Sequence, residues 1–361
     1  MGSANANPSD RVRVLAGSAA AHRLGGVAEP AILADGIVKR FGDVEALCGV
    51  SFAVPPATVL GLLGPNGAGK TTAVRILTTL LKADAGRAEV LGLDTRRDAA
   101  RVRASIGLAG QNAAVDENLT GAENVQLVGR LTHLEPDLLT RRTADLLESF
   151  DLSDAGDRLV RTYSGGMRRR IDLACALVHQ PPVLFLDEPT TGLDPRSRTD
   201  LWGVIESLVE GGTTVLLTTQ YLEEADRLAD QIVVIDQGTV IAEGTAAELK
   251  ARLGATVIDV GFDSVETAAA GAAALASVGA VATDGSHVHV TVSTGPTAML
   301  DTVHILDARQ LQPVGLALHE PTLDDVFLAL TGHAAELQED EVASDGQGRT
   351  RRRGGRDRSA S

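Results

Sequence analysis

Gly64-Pro65-Asn66-Gly67-Ala68-Gly69-Lys70-Thr71, with Thr72 behind it, lies between the apolar run TVLGLL at 58–63 and AVRILTTLL at 73–81. It satisfies G-x-x-x-x-G-K-[ST] where that pattern has a mechanism, between an expected strand and an expected helix. The glycines let successive backbone N–H groups converge on phosphate oxygens. The helix N-terminus adds roughly half a positive charge at the same point. Lys70 then supplies a full charge for the β- and γ-phosphates, and the Thr71 hydroxyl can ligate Mg²⁺. A chance glycine turn is the competing reading, and the strand-loop-helix context opposes it.

Working outward, the runs PVLFLDE at 182–188, TTVLLTT at 213–219 and QIVVID at 231–236 read as buried strands. The stretches 199–209 and 221–229 between them read as helices. This alternation predicts an α/β fold with a mainly parallel sheet covered by helices. Gln237-Gly238 suits a hairpin turn, and Thr245 caps a helix that ends at Gly254. In Val183-Leu184-Phe185-Leu186-Asp187-Glu188 an apolar strand ends in two carboxylates. Asp187 is placed to hold Mg²⁺, and Glu188 is the better candidate to polarise an attacking water; helix capping is the alternative.

The chain has 361 residues, enough for two cores, and a formal net charge of −15. Acidity argues against nucleic acid as a partner. Cys48 and Cys175 stand far apart and read as small core residues. No apolar run approaches the ~18–20 residues of a membrane span, and no secretory signal is evident. After Gly254 the pattern restarts in the order β-α-β-β-α-β, which fits a small two-layer domain of the ferredoxin-like kind. There, His287 and His289 share a strand face opposite Val288 and Val290, and without an evident third ligand they read as a solvent-facing stripe. The expected division is a loose arm at 1–29, a nucleotide-binding unit at 30–253, an accessory α/β domain at 254–332 and a disordered tail at 333–361. In the last thirty residues six Arg and six acidic residues offset each other, so the charge resides in the folded part.

Between the phosphate loop and the paired carboxylates lies Tyr163-Ser164-Gly165-Gly166-Met167, followed by RRRIDLACALVHQP. Here the chain resembles the nucleotide-binding subunits of ABC transporters, whose signature is Ser-Gly-Gly at a helix start. The resemblance covers roughly residues 30–253 and implies a P-loop cassette with an antiparallel subdomain and a helical signature subdomain. In that family Ser164, Gly165 and Gly166 would meet the γ-phosphate of ATP held by a second copy in a head-to-tail dimer. The resemblance also implies that Phe41 stacks on adenine, Gln111 senses Mg²⁺ and faces the membrane partner, and Asp194 in Thr191-Gly192-Leu193-Asp194 crosses the dimer seam. Met167 stands where Gln is common, and Arg168–Arg170 read as a solvated helix face. Gln220 occupies the position of the switch histidine; a neutral amide cannot take up a proton as His can, so slow hydrolysis is expected.

TTQYLEEAD, TTGLDP and LDDVFLALTG resemble, more narrowly, the daunorubicin-resistance ATP-binding subunits of drug exporters, out to about residue 332. This implies a peripheral ATPase using ATP and Mg²⁺ at the cytoplasmic face of the membrane, paired with a separate integral-membrane permease. Export of a polysaccharide, lipid or other metabolite stays open. So do a non-transport ABC ATPase acting on nucleic acid or ribosomes, and a regulatory module with little turnover. One cassette without a coiled-coil insertion opposes the former; intact Lys70, Asp187, Glu188 and Ser164 oppose the latter.

Overall fold

The computed structural model describes residues 29–111, 114–253, 256–293 and 295–331. The expected arm, apart from Glu29, and the expected acidic and Arg-rich tail lie outside these residues. Three sheets form among the described residues. The central one runs β10 (Thr239–Gly244), β9 (Gln231–Asp236), β3 (Val59–Leu63), β8 (Thr214–Thr219), β7 (Val183–Asp187) and β6 (Ile106–Ala109). Its strands are parallel except β10, which pairs antiparallel with β9. Gln237 and Gly238 both have positive φ, 45° and 75°, which gives the two-residue turn of a tight hairpin, as the sequence indicates.

The apolar runs are continuous because this sheet is covered on both faces. In β7, Leu184 and Leu186 pack into one apolar cluster and Val183 and Phe185 into another. In β8, Val215 and Leu217 join the first, with Leu216 in the second. The period of two thus divides each strand between two cores.

On the first face lie α3 (Gly121–Leu131), α4 (Pro136–Ser149), α5 (Gly165–Leu177) and α6 (Pro195–Glu210). On the second, α1 (Lys70–Leu77) packs beneath an antiparallel sheet of β2 (Val44–Val54), β1 (Ile32–Phe41), β4 (Ala85–Val90) and β5 (Leu93–Asp94). A short helix, α2 (Ala99–Ala104), leads into β6. Cys175 is buried as expected, but Cys48 is exposed. It lies on β2, where Leu47, Val50 and Phe52 take the inward positions.

The C-terminal segment follows β11 (Thr256–Gly261), α9 (Val265–Leu275), β12 (Ala280–Asp284), β13 (His287–Val292), α10 (Gly295–Ala308) and β14 (Gly315–His319). Its antiparallel sheet has the order β12-β13-β11-β14, the ferredoxin-like arrangement. One face packs on α9 and α10 through Val260, Val288, Val290, Ala268 and Leu306. The last helix, α11 (Leu323–Thr331), instead buries Leu323, Val326 and Phe327 against Leu222 and Ala225 of α7 (Leu222–Leu228) and Leu249 of α8 (Ala246–Leu253). A segment that begins in one core therefore ends in the other. Thr245 caps α8 as expected, and Glu248 completes a capping box with it, each accepting the other's backbone N–H, at 3.1 and 2.9 Å.

Candidate functional site

The parallel register brings the motif residues to one edge. Leu63 pairs with Thr219 and Asp187 with Thr218, so the chain leaves β3, β7 and β8 at the same level, into Gly64, Glu188 and Gln220. Ala109 pairs with Leu186, which brings Gly110 and Gln111 to that edge from β6. Ligands of open parallel sheets bind at this carboxyl end.

The phosphate loop needs its glycines. Gly64, Gly67 and Gly69 have φ of 155°, 82° and 111°. A Cβ at Gly64 would overlap the Ile235 carbonyl, and one at Gly69 would lie 2.6 Å from the Ala46 oxygen. Lys70 opens α1 and is only 4% exposed. Its Nζ donates to the Gly64 and Pro65 carbonyls at 2.7 and 3.1 Å and lies 4.0 Å from Glu188 Oε1. The ammonium is thus anchored inside the glycine loop itself.

Thr71 Oγ1 donates to Asp187 Oδ1 at 3.2 Å. This pair is a small set of hard oxygen donors, which suits Mg²⁺ because that ion keeps several waters and takes its remaining ligands from phosphates. Gln111 is exposed on the same edge and makes no hydrogen bond to Thr71 or Asp187 among the described contacts. Glu188 has φ of 50°, unusual for a side chain of its size, and is pinned there by Thr218. Its N–H donates to both the Thr218 carbonyl and hydroxyl at 3.0 Å. The Thr218 hydroxyl in turn donates to Asp187 Oδ1 at 2.5 Å. One strand residue therefore holds the Asp187 carboxylate and the Glu188 backbone, a role sequence reasoning missed because Thr in a buried strand reads as a packing residue. Gln220, two residues on, has its amide oxygen buried with no hydrogen-bond partner among the described residues.

Phe41 is half exposed at the β1–β2 hairpin, with the Lys39 ammonium 5.5 Å from its ring centroid. It pairs with Val44, and Ala46 two residues further packs against Gly69, so the hairpin stands beside the phosphate loop. The signature residues are elsewhere. Ser164 caps α5 by accepting the Met167 N–H at 3.2 Å, and it and Gly165 are exposed. Gly166 faces Ser197 Oγ, 3.3 Å from where its Cβ would be. Asp194 caps α6 by accepting from Ser197 N and Oγ at 3.0 and 2.8 Å, which holds its carboxyl below the usual carboxylate range. Ser164, Gly165 and Asp194 therefore stand exposed at the starts of α5 and α6, which meet where Gly166 faces Ser197.

Arg169 departs from the expected solvated face. It is 7% exposed, with Nε donating to the Pro189 carbonyl at 2.8 Å, Nη2 to the Asp187 carbonyl at 3.3 Å, and Nη1 to the Gly110 carbonyl. Asp172 lies 3.4 Å away; burial pushes its carboxyl up to about 6, opposed by the Ala114 N–H and by Arg169. Burial also raises the Glu224 carboxyl, opposed by hydrogen bonds that include Trp202 Nε1 at 3.1 Å. Sequence periodicity could not reveal Arg169, because the segments after β6 and β7 cover it rather than the stripe of its own helix. Arg169→Met should cost about 3–5 kcal/mol in urea unfolding, since it leaves Asp172 buried without its cation. Arg169→Lys should recover only part of that, because one ammonium cannot reach carbonyls spread around a planar fork.

Strand, phosphate loop, helix and an acid-tipped strand two places along the same sheet define a nucleotide-binding P-loop cassette. The family model described as ABC transporter matches residues 47–191. A daunorubicin resistance ATP-binding protein of Streptomyces coeruleorubidus is 53% identical over 87% of this chain and 99% of its own. The daunorubicin/doxorubicin resistance ATP-binding protein of Streptomyces peucetius is 46% identical over 87% and 96%. Among solved structures, an ATP-binding subunit of an ABC transporter matches 61% of this chain and 92% of its own, with 26% identity and a TM-score of 0.57. The chain belongs to the ABC transporter family as one of its ATP-binding subunits, an ATPase. No helix among the described residues is long and apolar enough to cross a membrane.

Proposed function

We propose that two copies of this chain close head to tail around two ATP molecules and drive a separate integral-membrane permease that exports a hydrophobic, anthracycline-like drug. The observation that carries the reading is the separation of two half-sites. Lys70, Thr71 and Asp187 gather at the sheet edge, whereas Ser164 and Gly165 stand exposed where α5 begins, with Ser164 turned to its own helix as a cap. A second copy turned through two-fold symmetry would supply the missing half to each. The names of the similar resistance proteins support a drug as cargo.

In this scheme the backbone N–H groups of Asn66 to Lys70 and the Lys70 ammonium bind the phosphates, while Phe41 offers its exposed ring to adenine. Thr71 and Asp187, with Gln111 nearby, would hold Mg²⁺, which when bound neutralises phosphate charge. Glu188 accepts the proton of the attacking water, and its backbone, fixed by Thr218, sets where the carboxylate points. Gln220 turns its unpaired amide oxygen towards that water or donates its NH₂ to the γ-phosphate. Closure is favoured only while γ-phosphate bridges both copies, and hydrolysis removes the bridge. The exposed Gln111 edge and the Thr120-capped α3 that follows would pass the motion to a permease at the cytoplasmic face of the membrane.

Gln220→Ala should lower kcat for ATP about 10- to 100-fold, the effect of losing one hydrogen bond to a charged group, with a smaller change in KM. An unchanged kcat would place Gln220 outside the reaction. For the cargo, the test is daunorubicin-stimulated ATPase activity of the chain reconstituted with its permease. Stimulation saturating with drug is expected; activity indifferent to daunorubicin would leave the ATPase reading intact and remove the drug.

A further inference from the structure

The open face of the C-terminal sheet is not the solvent-facing stripe its alternation indicates. His287 does stand exposed, 3.0 Å from Asp259. His289, two residues on, is covered by the start of α11, and its Nδ1 lies 3.3 Å from Asp325 Oδ1 without an aligned hydrogen bond. His319, at the end of β14, approaches the same carboxylate, its Nδ1 being 3.8 Å from Asp325 Oδ2. One ring nitrogen from each histidine and one oxygen of Asp325 all lie within 4.8 Å of one another.

We propose that His289, His319 and Asp325 form a binding site for a divalent ion of the zinc class, with the fourth position left to water. Two imidazoles and one carboxylate are a donor set that such borderline ions prefer over Mg²⁺ or Ca²⁺. The 3.3 Å between His289 Nδ1 and Asp325 Oδ1 matches the ~3.4 Å edge of a tetrahedron with bonds of ~2.0–2.1 Å. The supporting bonds also fit. Thr322 donates to Asp325 Oδ2 from both N and Oγ1, at 2.8 and 2.7 Å, which leaves Oδ1 as the ligand. His319 Nδ1 donates to the Glu320 carbonyl at 2.7 Å, so Nε2 carries the lone pair open to an ion, and the 3.8 Å Nδ1 approach to Asp325 places the ring rather than the ligand atom. Asp259 and Asp284 add negative charge around the His289 ring, and among the described residues no Lys or Arg pairs with any of the three candidate ligands.

The location gives the site a consequence. Two ligands come from the C-terminal sheet, and the third comes from α11, whose Leu323, Val326 and Phe327 are buried on the nucleotide-binding unit. An ion here staples the accessory sheet to the cassette.

The test is a titration of Zn²⁺ into the full chain, stripped with a chelator and free of nucleotide and Mg²⁺, with Co²⁺ absorbance as a second readout. One equivalent of Zn²⁺ should bind, Co²⁺ should give the intense visible bands of a four-coordinate centre, and Zn²⁺ should raise the unfolding temperature. His289→Ala and the more exposed His319→Ala should each weaken binding by ~100-fold or more, above the ~10–100-fold typical of losing an outer-shell partner. His287→Ala should bind as the parent chain does. A Co²⁺ spectrum of the hydrated ion with the parent chain would overturn the proposal. So would equally tight Zn²⁺ binding by a folded His289→Ala, His319→Ala double variant, folding being checked by circular dichroism.

Discussion

Glu188→Gln is expected to lower ATP turnover by about 10²- to 10⁴-fold while ATP still binds. The amide matches the carboxylate in shape, and the bonds that hold residue 188 in its left-handed conformation are backbone ones, its N–H to Thr218 and its carbonyl from Thr191 N–H. The substitution therefore leaves the strand ends where they are and removes only the proton acceptor. Lys70, whose ammonium lies 4.0 Å from Glu188 Oε1, loses a negative neighbour and remains available to phosphate. Single-turnover hydrolysis with radiolabelled ATP, beside equilibrium binding of the same nucleotide, separates the two effects. Unchanged turnover would mean that another group activates the water.

Lys70→Met should reduce turnover by about 10²- to 10³-fold, the range for removing one donor aimed at developing charge, and should weaken ATP binding as well. Met keeps most of the buried stem, which matters because Lys70 is 4% exposed and an alanine would leave a cavity. What disappears is the ammonium held by the Gly64 and Pro65 carbonyls at the mouth of the loop. Lys70→Arg should not restore activity. A guanidinium is planar and wider, and the loop closes tightly enough that a Cβ at Gly64 would already overlap the Ile235 carbonyl. Fluorescent-nucleotide binding and phosphate release on the same preparations check both points; full turnover by Lys70→Met would remove the phosphate loop from the chemistry.

These two residues, the phosphate-loop glycines and the buried strands around them are legible in the sequence because local chemistry dictates them. A loop that must reach positive φ three times needs glycine, and a strand covered on both faces must be apolar throughout. Arg169 and His289 were not legible, for a shared reason. Each sits where its own element's period points outward, and each is covered by chain distant in sequence: the segments at Gly110 and Pro189 for the arginine, the start of α11 for the histidine. Thr218 is a third case, since a hydroxyl that holds the Asp187 carboxylate and the Glu188 backbone looks in sequence like any β-branched strand residue. Asp194 shows the converse: its place in the motif is plain, but the bonds it makes in one chain are those of a helix cap.

The proposal of a shared ATP site stands on the exposed start of α5 at Ser164 and Gly165, and mass in solution tests it most directly. Glu188→Gln should sediment as a dimer with Mg²⁺ and ATP and as a monomer with ADP. Adding Ser164→Arg, which places a bulky side chain at the exposed start of α5, should abolish the ATP-dependent dimer. A Glu188→Gln chain that stays monomeric with bound ATP, or that dimerises equally with ADP, would contradict it.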